Sequence, residues 1–420
     1  MKLLVLVCFF SIFAANLAAA QMPMGHAMPD SVDRQGVAWT LGAQAIAVGT
    51  RASPAHAGRR LTEGYLSQPM VMATLSALGD RIALQGMLDL EGLTLERGEL
   101  DAGIYGEGYV DRRHPHTYLH ELVASAAGSV GATQVSLAAG KGFVPFGTDD
   151  PMVRPFEKYP VNHHISQIVE RLLATFAVRH GAVLIEGARF NGDEPESPSD
   201  LPNRGRLWDS WAARATLLPA ATFELQASVA RVKSPELAAG GGLDQRKESI
   251  SARLDDGEME ILGLRRYALA EFGRSSDYDG ENRAFSFTTF LAEGELQRGR
   301  VAIAARVERT ERPEEDRLAD PFRTQRPATD FSINGRTRWD IVSARLSGRA
   351  WESRALALAP FVEIARQHAT ALTAGAVFDP GAFYGSNTMW STTAGLTFTV
   401  GMIHRRTGQY GVAHFVRGPQ

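Results

Sequence analysis

The sequence predicts a large all-β protein: a transmembrane, antiparallel, up-and-down β-barrel of about 16 strands with short periplasmic turns and long outer loops. Three observations predict it. An export leader opens the chain, apolar and polar residues alternate with period 2 in many segments, and short connections alternate with long ones to the end.

The leader comes first. Residues 1–20, MKLLVLVCFFSIFAANLAAA, carry one positive charge at Lys2, an apolar run from Leu3 to Phe13, and small residues at Ala18 and Ala20. This is the pattern of a secretory signal peptide, and cleavage is expected near Ala20. Cys8 lies within it and is the only cysteine, so the exported chain is expected to hold no disulfide frame, thiol nucleophile or thiolate metal ligand. Loss of Lys2 with the leader leaves 43 basic residues against 47 acids, a small mixed charge that gives no footprint for nucleic acid. After the leader no run of about eighteen apolar residues occurs, which excludes helical spans.

Residues 21–35, QMPMGHAMPDSVDRQ, read as a flexible lead-in, and 36–412 as the barrel. Strand candidates begin at 36–50, 69–79 and 81–92. In the last, Ile82, Leu84, Leu88 and Leu90 share a face opposite Gln85, Asp89 and Glu91. Segment 222–232 sets Phe223, Leu225, Ala227 and Val229 against Glu224, Gln226 and Ser228, and 299–309 lines up Val301, Ile303, Ala305 and Val307. In 390–402, Trp390, Ala394, Leu396, Phe398 and Val400 oppose Ser391, Thr393, Thr397 and Thr399. Short breaks fall near Asp80, Ser129–Ala132, His180–Gly181, Pro219–Ala221, Gly257, Leu296–Gln297 and Ser347–Glu352. Long polar stretches occupy 51–68, 97–117, 142–165, 193–206, 235–245, 273–283, 311–331 and 371–389. Seven short turns and eight long loops imply about sixteen strands, with both termini on the turn side. A sandwich would hold fewer and shorter strands, and no fixed-period repeat suggests a propeller or solenoid. Trp39, Trp208, Trp211, Trp339, Trp351 and Trp390 suit interfacial girdles, and the closing strand is expected to finish near Tyr410.

Functional residues concentrate in 105–165. That stretch holds five of the eleven histidines (His114, His116, His120, His163 and His164) together with Asp111, Arg112, Arg113, Asp149, Asp150 and Arg154. At DRRHPHTYLHEL the chain resembles a family of bacterial outer-membrane, porin-like β-barrels with a D-R-x-H-P-H loop motif. Asp111, Arg112, His114, Pro115 and His116 carry that motif; Thr117 stands where an acidic residue often follows it. Arg154, Pro155, His163 and His164 match a following loop. Glu186, Gly187, Phe190, Asn191, Gly192, Glu194 and Pro195 match an E-G-x-x-F-N-G-x-E-P turn, and DSWAAR (209–214) completes the likeness over about a quarter of the chain. The resemblance implies an envelope barrel, in some cases associated with metal handling.

Three readings of these residues stay open. In one, loops 97–117, 142–165 and 193–206 fold inward, so that Asp111, Arg112, Arg113, His114, His116, Arg154, His163, His164, Glu186 and Glu194 constrict a lumen for passive passage of small solutes. In another, His114, His116, His163 and His164, with Met22, Met24, His26 and Met28, bind or pass a copper-type transition metal. In the third, Arg112, Arg154, Glu170, Glu186 and Glu194 form buried ion pairs that tie loops to the wall. An enzyme is not expected: HTYLHE lacks H-E-x-x-H spacing, GGGL (240–243) lacks the strand–helix context of a phosphate loop, and no G-x-S-x-G occurs. No resident cofactor is expected. The expected setting is the outer membrane, with lipid, small solutes and the barrel assembly machinery as partners.

Overall fold

The computed structural model describes residues 36–54, 60–94, 117–148, 154–157, 163–195, 197–235, 237–257, 259–314, 335–353, 356–373, 379–401 and 408–411. They form one antiparallel sheet closed on itself. Its strands are β1 (Val37–Ser53), β2 (Leu61–Ala77), β3 (Ile82–Asp89), β4 (Leu119–Val130), β5 (Thr133–Gly142) and β6 (Arg171–His180). There follow β7 (Val183–Phe190), β8 (Ser210–Ala220), β9 (Phe223–Val232), β10 (Asp244–Asp255), β11 (Arg265–Asp279) and β12 (Asn282–Arg298). The last are β13 (Val301–Glu314), β14 (Gly335–Gly348), β15 (Trp351–Glu352), β16 (Leu356–Ala371) and β17 (Thr388–Gly401). β15 is a two-residue piece paired to β16, which itself pairs with β14, so the barrel has sixteen staves. Closure is made by β1 against β17, from Gly42↔Gly401 to Ser53↔Trp390, which leaves no edge strand open.

The alternation is inverted relative to a water-soluble core. Ile303 is 62% exposed on the outside of β13 while Arg306, three residues on, is 2% exposed inside. The same holds across the sheet. Leu84, Leu88, Leu225, Val229, Ile250, Phe290 and Val362 face outward, and Glu224, Gln226, Ser228, Ser251, Glu293, Ser391 and Thr393 are buried. Because side chains have period 2, each strand puts one face outside and the other in the lumen.

Six of the seven short breaks fall at turns between adjacent staves at one end of the barrel, the seventh lies just short of such a turn, and the long connections lie at the other end. Four expectations change. The polar stretch 273–283 is no loop: β11 and β12 run through it and join at Gly280–Glu281, a two-residue turn in an Asp-Gly context with Gly280 at φ +60°. Those strands extend past the apolar belt, where both faces turn polar, so their composition imitates a loop. β12 likewise continues through Leu296–Gln297 to turn at Gly299–Arg300. Trp339 is fully buried on the lumenal face, edge-on to Tyr384 and donating Nε1–H to Thr337 Oγ1 at 3.0 Å; the other five tryptophans are exposed near the two rims, as girdles require. Finally, β17 ends at Gly401, and Tyr410 lies inside the lumen instead of ending a strand.

Candidate functional site

The connection between β5 and β6 folds into the barrel. At its root, Phe143, Val144, Phe146 and Ile168 are buried. The Val144 N–H donates to the Ile168 carbonyl at 3.0 Å and closes the loop's base. Val144, Phe146 and Ile168 join Val123, Leu173, Phe190, Ala212 and Val232 in an apolar cluster against the inner wall of β4–β9. Gly147 sits at φ +71° with its α-carbon against the Ser166 carbonyl, so a side chain fails there on both torsion and space. The Gly147 N–H donates to Ser228 Oγ on β9 at 3.1 Å, and its carbonyl accepts from Arg214 Nη1 on β8 at 2.9 Å. Arg214 also grips Glu186 on β7 as a fork, Nε to Oε2 at 2.6 Å and Nη2 to Oε1 at 2.9 Å. Both side chains are about 1% exposed. A desolvated, bidentate pair of this kind is expensive to break from one side, about 3–5 kcal/mol.

The tip of the loop reaches the far wall. Arg154 lies 3.8 Å from Glu271 on β11 and 3.9 Å from Glu293 on β12. Glu293 also receives Arg306 Nε from β13 at 2.7 Å, and the Arg306 guanidinium stacks 4.4 Å over the Phe156 ring. The Glu157 N–H donates to Glu363 Oε1 on β16 at 2.6 Å, and Arg345 Nη1 reaches the same oxygen at 2.7 Å. The loop therefore spans from β5 to β16 across the lumen. Beside its tip, Phe156, Arg306, Glu308, Ser343, Glu363 and Gln367 line a cavity of about 10 Å³, room for about one water.

Glu170 ties the neighbouring loop roots together. Its backbone holds a positive φ of +60°, rare for a non-glycine residue. That turn aims the carboxylate at three donors, the Thr117 N–H at 3.0 Å, the Thr117 hydroxyl at 2.5 Å and Lys141 Nζ at 3.3 Å, with His120 Nδ1 in contact 2.8 Å away. Lys141 also donates to the Thr117 hydroxyl. Thr117 and Glu170 come from the ends of two connections, His120 and Lys141 from two wall strands. One carboxylate thus fixes two loops to β4 and β5.

The two motifs after the histidine-rich stretch interlock around the loop's root. Glu186, from the first, pairs with Arg214, from DSWAAR. Asn191 Oδ1 accepts from the Leu172 N–H at 2.6 Å, Glu194 receives Arg171 Nη2 at 2.8 Å, and Ser210 Oγ accepts from the Lys233 N–H at 2.9 Å.

Of the residues singled out in the sequence, Arg154, Glu170, Glu186, Glu194 and His120 lie in this arrangement, with Arg154 at the tip and the others nearer the root. Asp111, Arg112, Arg113, His114 and His116 fall outside the described residues. His163 and His164 open a helical turn, His163–Ser166, packed on β10 and β11, and their side chains are likewise outside the description. Among the described residues no three His, Cys, Asp or Glu come together as a metal site. Sequence reading missed Arg214, Lys141, Glu121, Glu271, Glu293, Arg306 and Glu363 as lumenal charges. Their signal was phase: each sits on the inward set of its strand, where a charge needs a partner.

No family model and no curated protein matches the chain. Among solved structures it is similar to an anion-selective porin from Comamonas acidovorans, at 9% identity and a TM-score of 0.47, covering 87% of this chain and all of that one. It is similar to a loop-deletion mutant of OmpT, an outer membrane protein of Vibrio cholerae, at 9% identity and 0.46, covering 87% and 99%. It is also similar to OccK3 (OpdO) of Pseudomonas aeruginosa, at 12% identity and 0.38, covering 87% and 96%. These likenesses concern architecture, and the barrel itself is established by this chain's own closed sheet.

Proposed function

We propose that the chain is an outer-membrane, porin-like barrel that passes small polar solutes passively, through a lumen narrowed by the described parts of the β5–β6 connection, 143–148, 154–157 and 163–170. The exposed apolar belt supports a membrane setting, since a closed sheet with apolar side chains outside and polar ones inside is stable where lipid is the solvent. The observation that carries the channel reading is the inward loop, whose tip ends on Glu271, Glu293 and Glu363 of the opposite wall. Charges facing one another across a narrow passage select what passes. Among the described residues, buried acids outnumber buried Lys and Arg by fifteen to eight, which favours cations. The similarity to an anion-selective porin is one of fold, and the sign of selectivity follows from this chain's own charges.

Purified protein in planar bilayers is expected to give discrete conductance steps, with a zero-current potential of cation sign under a salt gradient. A folded barrel that never conducts would sink the reading; steps of anion sign would sink its charge assignment alone.

A further inference from the structure

β17 ends at Gly401 at the turn end of the barrel, yet Gly408–Gly411 lie within the lumen, against staves well round the wall from β17. Tyr410 is buried in the apolar cluster that holds the root of the inward loop. Its hydroxyl donates to Glu121 Oε1 on β4 at 2.6 Å and accepts from the Phe143 N–H at 2.9 Å. Its carbonyl accepts from Ser136 Oγ on β5 at 2.7 Å. The socket is shaped for this ring, because any side chain at Gly142 would occupy the place of the Tyr410 hydroxyl and press on Val123. The segment is shaped for the socket too. Gly408, at φ +68°, brings its α-carbon so close that an added Cβ would stand 2.8 Å from the Pro145 backbone. A tail that only trailed from the last strand would not desolvate a phenol on a buried carboxylate and a backbone donor.

We propose that residues 408–411 are a lumenal strap. They fill the cross-section on the β4–β5 side and clamp Phe143–Pro145, so that Tyr410 positions the constricting loop and sets conductance with it. This rests on the channel reading. A purely space-filling tail would support folding and leave the current through the folded barrel unchanged.

The test compares wild type, Tyr410→Phe, Tyr410→Ala and a chain ending at Gly401 in planar bilayers, each first shown folded by heat-modifiable migration on gels. Removing the tail is expected to raise single-channel conductance about twofold or more. Tyr410→Ala should follow it, with added current noise as the loop's root loosens. Tyr410→Phe, which keeps the ring, should stay near wild-type conductance and be noisier. If the truncated chain does not fold, Tyr410→Ala decides by the same criterion. Wild-type current in the folded tail variants overturns the strap and leaves the channel standing. Silence in both wild type and tail variants overturns both. A silent wild type with a conducting tail variant supports the strap, in the form of a plug, and overturns passive passage through the intact chain.

Discussion

At its root the β5–β6 loop sits in an apolar cluster and is gripped by short, charge-assisted bonds from Arg214 and, through its base, Glu170. At its tip the same loop meets the far wall through Arg154, whose ion pairs to Glu271 and Glu293 are 3.8 and 3.9 Å long, with one backbone bond to Glu363. The difference assigns two jobs. The root is built as a protein core is built, with desolvated fork geometry whose disruption is expensive. The tip is equally buried, but it meets the wall through longer pairs without fork geometry and places charges from opposite sides beside a small water-sized space, where they shape the local field.

The comparison breaks most readily at Arg214. Arg214→Ala leaves Glu186 buried without its fork and frees the Gly147 carbonyl, and is expected to lower stability by about 3–5 kcal/mol, read as a lower urea midpoint for unfolding. Arg214→Lys should recover only part of this, since an ammonium cannot replace the bidentate grip. Next is Glu170→Ala, which removes the acceptor of Thr117 and Lys141 and the carboxylate in contact with His120. A loss of about 1–3 kcal/mol is expected, with faster proteolysis of the two loops that Glu170 anchors. An unchanged midpoint in either variant would mean that the root is held by apolar packing alone.

At the tip the expected readout is current. Arg154→Ala removes a positive charge from beside two carboxylates, so the zero-current potential should move further toward cation selectivity, while the unfolding midpoint should fall less than in Arg214→Ala because Glu293 keeps its bond to Arg306. No change in potential would make the tip a structural contact like the root. The smallest effect is expected at the turn end, away from both. The guanidinium of Arg266 bonds the Asp256 carboxylate at 2.8 Å and holds its pKa below the ordinary value. A depressed folded-state pKa adds stability that is complete above the ordinary carboxylate range and is lost as pH falls through the lowered value. Asp256→Asn should therefore flatten the acid limb of the stability profile and leave the current unaltered.

How much of this was legible varies along the chain. The strand at 222–232 could be read because Glu224, Gln226 and Ser228 fall strictly between Phe223, Leu225, Ala227 and Val229, and β9 spans Phe223–Val232. The 273–283 segment misled because outside the apolar belt a strand no longer alternates, although the Asp-Gly pair at 279–280 was a usable turn signal. Glu186 was recognisable as a candidate while its partner was not: Arg214 lies twenty-eight residues on, on an adjacent strand, and only the β7–β8 register Glu186↔Arg214 makes them neighbours. The sequence places a strand end at Tyr410 because an aromatic near the end of a barrel chain suits a closing strand. Nothing in local sequence says that a segment following the last strand turns back into the lumen.

The sequence by itself determined the closed all-β architecture, the stave count and the turn side, because period-2 alternation and the spacing of breaks are local properties that strand geometry converts directly into a barrel. Tertiary structure alone decided which loop enters, where its tip lands and what clamps its root. Those outcomes depend on shear, register and the meeting of residues as distant as Glu121 and Tyr410, whose attraction exists only after the barrel has closed around them.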